Sequence, residues 1–160
     1  MYRPWHLILL TLFLACQSND AKLNLVEKDL LTYGIPITIQ VPDSAEIKTM
    51  DWGMQKDITI ISQKDWYSLQ LFSSRAGNHN LDAVKAEYLE MAQLNPFFQK
   101  VVSEDPDGFV FELQIDSTIN YDFRHIKIQG DTEYLFQAGM FGTYSLEQIQ
   151  QLYEISKLAR

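Results

Sequence analysis

The sequence predicts an α+β domain built on an antiparallel sheet of about seven or eight strands, with helices on both faces rather than a two-layer sandwich. Three observations predict it. Most apolar residues recur with period two, in short runs joined by short connections, which implies antiparallel pairing. Two segments alone carry capped helical periodicity, one in mid-chain and one at the end. The last strand pair is apolar on both sides, so each side needs a cover.

The elements follow in chain order. In Ile35-Pro36-Ile37-Thr38-Ile39-Gln40-Val41 every second residue is aliphatic, and Pro42-Asp43 stops the run. Pro36 places it at a strand start or a sheet edge. Further strands are expected near 47–50, 58–62 and 67–72, and Ser73 to Asn80 reads as a loop. Asn80 caps a helix whose stripe is Leu81, Val84, Tyr88 and Met91. Asn95-Pro96 ends it, because the residue before proline avoids the helical region.

A strand over 99–103 runs into the turn Asp105-Pro106-Asp107-Gly108. Phe109, Phe111, Leu113 and Ile115 then alternate with polar or smaller residues, and strands over 121–129 and 132–138 flank Gly130-Asp131. Glycine in first place favours a type II′ turn. That turn fixes the register: Gln129 faces Thr132, Lys127 faces Tyr134, His125 faces Phe136 and Phe123 faces Ala138. Tyr121, Phe123, Tyr134 and Phe136 share one face, and Ile126, Ile128 and Leu135 the other. Ser145 with Gln148 three residues on is a capping box, and it opens a helix with Leu146, Ile149, Leu152, Tyr153 and Leu158 on its apolar side.

The N-terminus carries a different signal. Met1-Tyr2-Arg3 is a positive start, and Leu7 to Leu14 is an eight-residue apolar run. That run suits a secretory leader and is far shorter than the ~20 residues that span a bilayer. It ends in Phe13-Leu14-Ala15-Cys16, a small residue directly before the only cysteine of the chain. This resembles the lipobox of bacterial lipoproteins, with Phe13 where leucine is usual. The resemblance implies cleavage before Cys16, lipidation of its thiol and attachment to a membrane. Residues 1–15 are then a signal peptide, 16–30 a lipidated tether and 31–160 one domain. Gln17 replaces the aspartate that retains lipoproteins at the inner membrane, which points to the outer membrane of a Gram-negative cell envelope.

Loss of the leader removes Arg3, leaving 12 of the 13 basic residues against 21 acidic ones, a net charge of −9 instead of −8. Such a surface argues against nucleic acid as a partner. A thiol-free domain also excludes disulfides, cysteine nucleophiles and cysteine-ligated metals.

The strand ending in Val41-Pro42, the mid-chain helix after a loop, the long hairpin and the closing helix together resemble the PsbP fold. That resemblance spans roughly 33–160. It implies an accessory or binding role, because PsbP proteins serve photosystem II and the same fold occurs in a nuclear import factor that binds a small GTPase. It carries no site residue to this chain.

Motifs for chemistry are sparse. His79 and His125 lack the spacing of a metal pair, and Asp105-Pro106-Asp107-Gly108 lacks the ligands of a calcium loop. No nucleophile elbow and no phosphate-cradling glycine loop is present. No metal and no cofactor is therefore expected. Trp52, Trp66, Met140 and Phe141 stand near loop ends, where bulky apolar residues form a binding surface if exposed and core if not. His125, on the aromatic face of the hairpin, faces no carboxylate in register and is expected to pack rather than catalyse. The sequence thus reads as an envelope lipoprotein with a non-enzymatic binding or accessory role, attached through its lipid, with an envelope protein complex as its candidate partner. The alternative is a small ligand-binding protein or hydrolase with an aromatic cleft at His125.

Overall fold

A computed structural model describes residues 23–140 and 142–160. The class is the expected one, α+β, with a seven-strand antiparallel sheet, two α-helices and a separate two-strand sheet. Cys16 and Phe141 lie outside the described residues.

The folded chain begins earlier than the expected tether allows. Strand β1 (Leu25–Asp29) pairs antiparallel with β2 (Thr38–Pro42), from Leu25 opposite Pro42 to Asp29 opposite Thr38. Leu30 follows, fully buried. β1 was hidden in the sequence because its side chains are mostly exposed and the backbone ladder, not apolar burial, holds it. Its partner and the residues leading into it show the expected alternation: Ile35 and Ile37 before β2, and Ile39 and Val41 within it, are all buried. The carboxyl end of the chain closes this small sheet, with Thr38 N–H donating to Arg160 O at 2.6 Å and Arg160 N–H to Thr38 O at 3.1 Å.

The main sheet holds β3 (Glu46–Asp51), β4 (Gln55–Ser62), β5 (Tyr67–Arg75), β6 (Phe98–Asp105), β7 (Gly108–Ile115), β8 (Thr118–Gln129) and β9 (Thr132–Ala138), in the spatial order β3-β4-β5-β9-β8-β7-β6. β5 runs on through the serines expected as loop, because Ser73, Ser74 and Arg75 pair with β9. The β8–β9 hairpin keeps the derived register at His125/Phe136, Lys127/Tyr134 and Gln129/Thr132. Gly130 has φ 58° while Asp131 stays at negative φ, as a type II′ turn requires. The ladder stops short of Phe123 and Ala138. There the Asp122 carboxylate accepts the Ala138 N–H at 3.1 Å.

Each face has a helix. On one, α2 (Leu146–Lys157) lays Ile149, Leu152 and Tyr153 into a core with Leu69, Leu71, Phe123, Tyr134 and Phe136, and residues of β2 complete it. Its capping box is formed by Ser145 and Gln148. On the other, α1 (Leu81–Gln93) sets Leu81, Val84 and Tyr88 over Ile126, Ile128 and Leu135, and Leu89 and Ala92 near Phe109 and Phe111. Met91, expected in that stripe, is 63% exposed. Met91 shares the Val84 line, but the last turn of α1 packs through Leu89 and Ala92 on Phe109 and Phe111 and leaves that line in solvent. α1 covers the β6–β9 half of its face and leaves the β3–β5 half open.

Candidate functional site

His125 sits near the centre of β8 with its side chain sealed, 3% of the residue being exposed. Its ring stacks on Phe136 with centroids 5.1 Å apart and meets the Tyr153 ring edge-on at 6.2 Å. Gly108 stands opposite it on β7, and the Tyr153 ring occupies the space a side chain there would fill. A carboxylate does reach it, contrary to the register argument. Asp107 Oδ2 lies 3.6 Å from His125 Nε2. Asp107 arrives from the β6–β7 turn, a neighbour that the β8–β9 hairpin alone could not supply.

Burial pushes the His125 pKa down to about 4, with Lys127 and Lys157 acting in the same direction and Asp107 opposing. Nδ1 is buried with no hydrogen-bond partner among the described residues. A general base is normally oriented through its second nitrogen and must reach a substrate proton. His125 has Asp107 beside Nε2, but its other nitrogen, Nδ1, is sealed inside the stack and out of reach of a substrate proton. Outside it, Lys157 spans Asp105 at 3.1 Å and Glu154 at 2.6 Å, and lies 4.7 Å above the Tyr153 ring centroid. This closed stack is packing.

The first prediction concerns this histidine. His125→Gln should lower stability near neutral pH by about 1 kcal/mol, a usual cost for a buried polar substitution. A histidine held neutral in the folded state makes the unfolded chain bind more protons between pH 6.5 and about 4, so stability falls as pH drops through that window. The variant should lose that part of the slope. Unfolding midpoints at several pH values check it; an unchanged slope refutes it.

The other singled-out residues separate. Trp66 has a left-handed backbone (φ 52°) and lies half-buried against the main core. Trp52 is 66% exposed at the β3–β4 turn, beside Met54 at 91%. Met140 is 71% exposed at the end of β9 and lines a groove of about 290 Å³ over the open half of the sheet. Lys48 and Met50 of β3 form one wall of this groove, and by strand alternation Trp52 continues their line. Thr59, Ile61, Ser68 and Gln70 form its floor with Asp57.

That floor is a polar ladder running across three strands. Gln137 donates to Gln70 Oε1 at 3.1 Å, and Gln70 donates to Asp57 Oδ2 at 3.0 Å. Gln70 is buried, and its amide is thereby satisfied within the sheet, as a buried polar group must be. Asp57, Gln70 and Gln137 were missed in the sequence. Their signal was the alternation of β4, where Ile58 and Ile60 are fully buried while Asp57 and Thr59 turn to the opposite face.

Among the described residues no group of three or more histidine, cysteine or acidic side chains could hold a metal, and no helix is long and apolar enough to cross a membrane. A comparison with known proteins gives no matching family, no matching curated protein and no matching solved structure.

Proposed function

We propose that this chain is a lipid-anchored protein of the bacterial envelope that binds a partner and catalyses nothing, with the groove above β3–β5 as its contact surface. The observation that carries the reading is the open half of the sheet. Its polar floor is already satisfied, and its rim holds Met50 and Met140 with Trp52 alongside. Methionine adapts to irregular partners and tryptophan supplies large contact area, so such a rim suits protein recognition. The sealed stack at His125 speaks for binding over hydrolysis. Leu12-Phe13-Leu14-Ala15-Cys16 supports the anchor, and the PsbP-like element order supports an accessory role in an envelope complex.

The test places a photo-reactive amino acid at Met140, and in a control at Met91 on the exposed side of α1. A single envelope protein crosslinked from position 140 and absent from position 91 is the expected result. Equal crosslinking from both sites, or none from Met140, removes the groove from the reading.

A further inference from the structure

The two edges of the main sheet differ. β6 is broken by register shifts against β7 between Phe98 and Lys100 and between Val101 and Ser103. Its charges are engaged within the chain, Lys100 with Glu112, Glu104 with Lys85 and Asp105 with Lys157. Bulges and committed charges close an edge to further pairing. β3 has no such guard. It runs in unbroken register against β4, from Glu46 opposite Ile61 to Asp51 opposite Lys56. Asp51 is engaged with Lys56 at 3.9 Å, but Glu46 and Lys48 have no ion-pair partner among the described residues.

The turn decides which backbone groups β3 leaves free. Trp52 N–H donates to Gln55 O at 2.9 Å, so that pair is hydrogen-bonded. By alternation Met50, Lys48 and Glu46 also turn their backbone groups to β4, and Ile47, Thr49 and Asp51 present theirs to the open edge.

We propose that β3 is the seam of a symmetric dimer, in which the β3 edges of two copies of this chain pair antiparallel about Ile47. Charge selects the register. Centred on Ile47, each Lys48 stands opposite the partner's Glu46, twice by symmetry. Ile47 N–H reaches the partner's Ile47 carbonyl and Thr49 N–H the partner's Ala45 carbonyl, again twice. Ala45 N–H is already given to Pro42 O at 2.9 Å, so the added ladder ends there. Sliding the partner by two residues centres the pair on Lys48 and sets the two Lys48 side chains opposite one another, and sliding it by four centres on Thr49, with Ile47 opposite the partner's Asp51 and Lys48 opposite the partner's Met50 and no opposite charges matched. The seam is short, and the dimer is accordingly weak in solution. It is strengthened when both copies share one membrane, because confinement raises their effective concentration. This inference stands on the backbone edge of β3, whose Lys48 and Met50 also wall the groove, so the dimer is read by its mass and the groove by crosslinking from Met140.

Sedimentation equilibrium of the lipid-modified chain in density-matched detergent tests it. The wild type should pass from monomer to dimer as concentration rises toward about 1 mM, the range of weak association. Lys48→Glu sets like charges opposite one another and should weaken the dimer on the order of tenfold. Exchanging both charges, Glu46→Lys with Lys48→Glu, should restore it. Thr49→Pro removes an outward N–H without touching the β4 ladder and should also weaken it, with the circular dichroism of the monomer unchanged. A wild type monomeric throughout, a dimer indifferent to Lys48→Glu, or a double variant that stays monomeric overturns the proposal.

Discussion

Gly108→Ala is expected to lower the stability of the domain by about 3 kcal/mol, in the range of overpacking against a rigid core. Gly108 opens β7 directly opposite His125. A Cβ built there falls well inside contact with the Arg124 carbonyl oxygen, and 2.8 Å and 2.9 Å from Oη and Cε2 of Tyr153. The carbonyl belongs to the neighbouring strand and cannot retreat without parting the β7–β8 ladder. Tyr153 cannot retreat either, since its ring is held between Phe123 at 5.6 Å and the Lys157 ammonium. Gly77 is the internal control: no atom lies within 4 Å of a Cβ built there, and Gly77→Ala should be close to neutral. Urea unfolding of the two variants checks both. A Gly108→Ala loss below about 0.5 kcal/mol, the scatter of ordinary surface changes, would show that the β6–β7 turn yields and that the stack at His125 is loose.

Cys16→Ala is expected to abolish membrane attachment, the largest change any single residue here should produce. Each buried CH₂ of an acyl chain contributes about 0.8 kcal/mol, so one chain holds marginally and two or more hold firmly. With the only cysteine gone, no thiol remains to carry a diacylglyceryl group. Labelled palmitate followed by detergent partitioning reads the outcome: label and detergent-phase protein for the wild type, neither for the cleaved variant. Label on Cys16→Ala, or its full retention in the membrane after cleavage, would refute the anchor. The domain should still fold, because none of its described residues is a cysteine and no disulfide is at stake.

Alternation along the closing hairpin was legible in the sequence. A two-residue turn with glycine first fixes which side chains oppose one another, and period two then assigns every residue to a face. Both helices were legible for the same reason, since caps and periodicity are local. Met91 marks where that reading needs care, because periodicity gives a face of the helix and only packing says how far along that face the sheet reaches. β1 escaped notice because Leu-Val-Glu-Lys-Asp buries little and is a strand only through its ladder to β2.

The candidate site was less legible. Trp52, Met140 and His125 were picked out by residue type, but type does not say whether a large side chain faces solvent or core. Tertiary packing laid Trp66 half-buried against the core and left Trp52 and Met140 outside. It also brought Asp107 to His125 across a strand pair separated in sequence from the hairpin. By itself the sequence determined the α+β class, both helices, the face each residue of the β8–β9 hairpin takes and the mismatch between one lone cysteine and a disulfide-stabilised fold. Only the tertiary structure decided that β5 pairs with β9, that α1 covers half of its face, and that Gln137, Gln70 and Asp57 align beneath a groove. The reason is physical. Local periodicity and turn geometry are written in neighbouring residues, whereas the pairing of distant strands and the reach of a helix depend on how the whole apolar surface is buried at once.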